Sequence, residues 1–148
     1  MTRLTEEQRI ALLESEMKIC QSQVDKYDSI IERIGTWAVT LWVASLGWSF
    51  QVNRQEVVIL NLVIVLVFWV LQGMNKAFRQ DYKERRDEVA RLLNRMGKEE
   101  VKFDKIDAPY FPVHKNLWKN TLENMFKPHS ALIYVLLFLV SVVIYLRF

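Results

Sequence analysis

The sequence predicts an all-α membrane protein with three transmembrane helices, the first two forming a hairpin extended into a cytoplasmic antiparallel coiled stalk. Three observations carry this expectation. Charge-free apolar runs recur at membrane-crossing length, cations collect on one side of those runs, and heptad-spaced apolar residues lead into the first run and out of the second. A chain of 148 residues has room for a single domain. Its near-zero mean hydropathy conceals a mosaic of very apolar and very charged segments.

The runs occupy residues 34–53, 57–75 and 128–146, and none contains Asp, Glu, Lys or Arg. Crossing a hydrocarbon core of ~30 Å takes roughly 20 apolar residues, so each run suffices. Between the first two lies the polar tip Arg54-Gln55-Glu56, too short for anything but an antiparallel hairpin. The first 33 residues carry charges throughout, so no cleavable signal is expected there.

Charge placement sets the expected topology. Five Lys/Arg precede residue 34 and thirteen lie between the second and third runs; Arg54 and Arg147 complete the 20. The positive-inside rule therefore places the N-terminus and residues 76–127 in the cytoplasm, with the tip and the C-terminus outside. The net charge of +3 follows from that orientation. No nucleic-acid-binding motif accompanies it, which argues against such a partner.

Thr5-Glu6-Glu7-Gln8 fits a capping box, and opens a cytoplasmic amphipathic helix over residues 5–33. Ile10, Leu13, Met17, Cys20, Val24, Tyr27, Ile31 and Ile34 then recur at alternating three- and four-residue spacing, a heptad seam running into the first span. The helix over 76–96 mirrors it with Phe78, Tyr82, Arg85, Val89, Leu92 and Met96, continuing a series that starts at Leu71 and Asn75. Arg85 and Asn75 are expected to weaken that seam, and Gly97 to end the helix. The two seams pair either with each other or between subunits.

Residues 97–127 form a loop in which Pro109 and Pro112 prevent a long helix. Its end, with Leu117, Trp118, Thr121, Leu122, Met125 and Phe126, suits a short helix that lies in the cytoplasmic interface or packs on the stalk. Pro128 suits the first turn of the third span.

Candidate sites are few. Thr36, Thr40, Ala44 and Gly47 are small and spaced for one face, which lines a pore in an oligomer or packs against a neighbouring helix. Asn61 is the one strongly polar side chain inside the second span and calls for an interhelical partner. The absence of charges within the spans argues against ion-coupled transport. Lys83, Arg86, Arg91 and Arg95, with Arg85, form an anion- or lipid-contact candidate, although the interspersed Asp81, Glu84, Asp87 and Glu88 also fit ordinary helix-surface pairing. His114 and His129 lack a second ligand at metal spacing, and the single Cys20 excludes a CxxC site or internal disulfide. No hydrolase or phosphate-loop motif is present, so neither catalysis nor a cofactor is expected.

YDSIIERIGTWAVTLWVASLGW, VLVFWVLQGMNKAFRQDYKERRDEVARLLN and NLWKNTLENMFKPHSALIYVLL together resemble a widespread family of small bacterial inner-membrane proteins. The leading helix, tight hairpin and trailing helix also look like the SLATT type of two-span effectors, to which this chain adds a third span. That resemblance implies a multi-pass inner-membrane effector of antiphage defence that perforates or depolarises the membrane. A cyclic homo-oligomer is the expected state. Two other functions fit the same architecture: a non-conducting anchor or sensor whose residues 76–127 recruit a cytosolic protein, and a constitutive small channel subunit.

Overall fold

Helix α1 begins where its cap dictates. In the computed structural model, which describes residues 5–96 and 116–147, the Thr5 amide donates to Gln8 Oε1 at 3.0 Å and the Gln8 amide to Thr5 Oγ1 at 3.3 Å. These reciprocal bonds satisfy two N–H groups that the first turn leaves without helical acceptors. α1 then runs over Glu6–Val52 and α2 over Gln55–Met96. The link between them is Asn53-Arg54, one residue shorter than the expected Arg54–Glu56 tip. Asn53 takes a left-handed conformation (φ 51°) that asparagine tolerates better than most residues, and so turns the chain early. Glu56 instead joins the first turn of α2, where a carboxylate suits the positive end of the helix dipole.

α3 spans Leu117–Met125 and α4 spans Pro128–Arg147, with Pro128 at the first helical position. Every regular element among the described residues is helical. Gly97, Pro109, Pro112 and the loop to Lys115 lie outside the described residues. Two helices, α2 and α4, are long and apolar enough to cross a membrane. The apolar run inside α1 does not reach that hydropathy, because its threonines, serines, glycines and tryptophans dilute the aliphatic content.

The contacts divide the described chain into two units. One contains residues 5–27 of α1 and 78–96 of α2. Leu13, Val89 and Met96 are its buried centre, with Ile10, Met17 and Leu93 packed around them. Glu16 meets Arg85, and Tyr27 meets Phe78 and Tyr82. Numbers rise along one segment as they fall along the other, so the pair is antiparallel within one chain.

The other unit contains residues 28–77 of α1 and α2 together with α3 and α4. Ala38, Val65, Tyr134 and Leu137 form its centre, ringed by Trp42, Phe68, Trp69 and Phe138. Three helices thus contribute to one core, and α3 closes against it from the side.

Candidate functional site

The second unit differs from a water-soluble bundle in its apolar exterior and in the polar side chains mixed into its core. Ser45, Ser49, Asn61, Ser130 and Ser141 are buried in it, whereas Trp37, Val43, Trp48, Val63, Leu136 and Leu139 are exposed. In water such an outside would be an association hazard, since monomeric soluble proteins rarely expose large contiguous apolar surface.

Part of the polar interior is paired across helices, while Ser49 donates to the Leu46 carbonyl of its own helix. The Ser45 hydroxyl donates to Asn61 Oδ1, joining α1 to α2. Trp42 Nε1 donates to Ser141 Oγ at 2.8 Å, joining α1 to α4, and Ser141 donates back to the Leu137 carbonyl at 2.9 Å. Gln55 Nε2 bonds the Tyr145 carbonyl at 3.0 Å. Asn61, fully buried, therefore has the interhelical partner its position calls for, although its Nδ2 finds no acceptor among the described residues. On α1 the inward residues are Ala38, Trp42, Ser45 and Ser49, spaced 4-3-4. That spacing was legible in the sequence but overshadowed by the small-residue stripe beside it.

The stripe itself faces outward. Thr36, Thr40, Ala44 and Gly47 are all exposed, and the space around a Cβ at Gly47 is open. The Thr36 and Thr40 hydroxyls donate to the Glu32 and Thr36 carbonyls four residues back, at 3.1 and 2.9 Å. Asn61 does not share this face.

α3 is keyed onto α2. Gly73 is buried where a Cβ would run into the Met125 side chain and lie 3.0 Å from the Thr121 carbonyl oxygen. Trp69 Nε1 donates to the Met125 carbonyl at 3.0 Å, satisfying an acceptor left over at the helix end. The Trp69 ring lies edge-on to Phe126 and stacks on Tyr134. Lys76 Nζ donates to Ser130 Oγ. The Trp69–Gly73 pair was not among the sequence candidates; its signal is a glycine one turn after a tryptophan inside an otherwise bulky span.

In the first unit the seam residues Leu13, Val24 and Val89 are buried, Met17 and Leu93 pack beside them, and Leu92 is only partly covered, as is Ile31 in the second unit. Arg85 does not sit alone in the seam. Its Nε donates to Glu16 Oε1 at 2.7 Å and its Nη1 to Glu88 Oε2 at 2.8 Å. Burial acts to lower the Arg85 pKa, but hydrogen bonds and charge attraction from Glu16 and Glu88 outweigh it and hold the value above its ordinary range. Glu16 escaped the sequence reading because the heptad assigned the seam to its neighbour Met17. Burial, aided by the Glu16 charge and opposed by Arg85, pushes the Cys20 thiol up. Burial and Tyr82 do the same to Tyr27.

Of the basic candidates, Arg86 is held by Asp87 at 2.6 Å and by Gln21 Oε1 at 2.8 Å, and Arg91 donates to the Asp87 carbonyl at 3.2 Å. Lys83 and Arg95 are exposed. Such pairing at Arg86 and Arg91 is the helix-surface alternative to an anion site. No group of three His, Cys, Asp or Glu side chains suited to a metal occurs among the described residues. His129 is exposed in the first turn of α4, and His114 lies outside the described residues. Comparison with protein-family models, curated proteins and solved structures finds no match.

Proposed function

We propose that the chain is an oligomeric inner-membrane effector of a bacterial defence system, which permeabilises or depolarises the membrane when its cytoplasmic helices are triggered. The observation that supports it is the apolar exterior of the second unit, around an interior that mixes apolar side chains with polar ones bonded between helices. A bilayer removes the cost of an apolar exterior, and polar side chains then find partners between helices. In this reading residues 34–52 of α1 cross the membrane beside α2 and α4, with the N-terminus cytoplasmic and the C-terminus periplasmic. The outward Thr36, Thr40, Ala44 and Gly47 face is where copies meet, since small residues let helices approach closely. Residues 5–33 and 76–96 act as the stalk that receives the trigger. The defence role rests on the SLATT-like order of elements.

Inducible expression with a potential-sensitive dye tests the reading. Depolarisation on expression, lost with Thr40→Leu at unchanged membrane level, is the expected outcome. Unchanged polarisation at high, membrane-inserted levels overturns it. A second reading, a non-conducting anchor that recruits a cytosolic protein through residues 76–127, is favoured by one observation: polar side chains inside the unit already pair within a single chain. It expects harmless expression, and loss of the recruited partner on charge reversal at Lys83 and Arg95.

A further inference from the structure

We propose that α3 is a membrane-surface anchor, whose Trp118, Leu122 and Phe126 side chains insert at the boundary between headgroups and acyl chains. These residues, two on a helix of 9 residues and Phe126 at its C-cap, are 70%, 54% and 65% exposed, large for apolar side chains. At 3.6 residues per turn they fall within an arc of about 80°. The neighbouring arc holds Thr121, Asn124 and Met125, all buried. The remaining side holds Lys119, Asn120 and Glu123, of which Lys119 and Glu123 are exposed and 3.9 Å apart. α3 therefore has three sectors rather than the two of an ordinary surface helix: one against protein, one apolar and uncovered, one charged.

Three sectors are what a helix needs when it touches a bundle, a bilayer and water together. The bilayer is the occupant because the uncovered sector is continuous with a lipid-suited surface. Two residues beyond Phe126 the apolar helix α4 begins, and its Leu132, Ile133 and Leu136 are also exposed. Tryptophan favours headgroup depth, and a helix with an apolar stripe beside lysines lies in the interface plane. The packed sector makes the anchor specific to this position. Gly73 admits Thr121 and Met125 at a distance where any Cβ would force them to shift, and Trp69 holds the Met125 carbonyl. The anchor is thus seated on α2 as well as joined to α4.

The inference rests on the membrane reading above, and its test separates the two. The full chain, with Cys20→Ala, carries one new cysteine at a time: Trp118→Cys, Leu122→Cys, Lys119→Cys or Leu136→Cys. Each is labelled with an environment-sensitive fluorophore in phosphatidylethanolamine–phosphatidylglycerol vesicles. Quenching by shallow nitroxide lipids is compared with quenching by iodide present on both sides. Positions 118 and 122 are expected to be quenched several-fold more by lipid than by iodide, and position 119 the reverse. Iodide-dominated quenching at 118 and 122 overturns the anchor, as does protection from both quenchers, which means that protein covers them. Position 136 reports the membrane reading separately: if it too is iodide-quenched, the span has failed and not merely the anchor.

Discussion

The two units of this chain share the same two helices and differ in what those helices leave outside. In residues 5–27, α1 turns Leu13, Cys20 and Val24 inward and leaves Glu14, Lys18, Asp25 and Lys26 outside. In residues 28–52, the same helix turns Ala38, Ser45, Leu46 and Ser49 inward and presents Trp37, Val39, Leu41 and Val43. In the membrane reading proposed above, the difference follows from the solvent of each segment: water rewards apolar burial, whereas lipid tails compete equally well for aliphatic surface and leave polar pairing and close fit to hold helices together. Among the described residues, the buried charge pair Glu16 with Arg85 lies in the unit rich in charge, and the other unit buries only neutral polar groups beside its apolar core.

That contrast can be broken most severely at the ion pair. Glu16→Ala leaves a buried guanidinium short of its principal carboxylate, and loss of one member of a buried pair costs about 3–5 kcal/mol. Amide hydrogen exchange should show the loss in residues 5–27 and 78–96 and little change in α4. Replacing both residues together, Glu16→Leu with Arg85→Met, should recover most of it. Leu13→Ala, which empties the centre of the same unit, should cost about 2–5 kcal/mol by the same measurement.

Smaller effects sharpen the other side of the comparison. Gly73→Ala overpacks the seat of α3, at about 1–3 kcal/mol. It should raise proteolysis between α3 and α4 while the first unit keeps its exchange protection. Asn61→Ala removes a buried interhelical hydrogen bond, yet in lipid such bonds average only ~0.6 kcal/mol. Its thermal shift in micelles should therefore be well below that of Leu13→Ala. If the two truncations prove equal, the contrast between the units is wrong.

The smallest expected effect is one of pH. The folded chain raises the Cys20 pKa, so the folded state holds that proton more tightly than the unfolded chain does. The stabilisation is complete below the unfolded thiol pKa and fades as pH rises through the higher folded value. Alkylation of Cys20 should accordingly stay slow at neutral pH and accelerate only in alkaline solution or on unfolding.

Much of this arrangement was legible as pattern. The capping box at Thr5, the seam residues Leu13, Val24 and Val89, the tight hairpin and the start of α4 at Pro128 each follow from local spacing or backbone chemistry. The inward face of α1 was not, because Thr36, Thr40, Ala44 and Gly47 and the 38-42-45-49 series are both spaced for a helix face. Periodicity names faces without saying which one meets a neighbour. Glu16 was missed for a related reason: a heptad scored on apolarity passes over the acid that an antiparallel partner places opposite Arg85.

Helical content, the apolar lengths of α2 and α4 and the asymmetry of cations were determined by the order of residues alone, since each depends on neighbours within a few turns. Which side of α1 packs, that Arg85 meets Glu16, and that Gly73 receives α3 were decided only by tertiary structure. These depend on the register between segments tens of residues apart, and register is set by the joint fit of side chains from both.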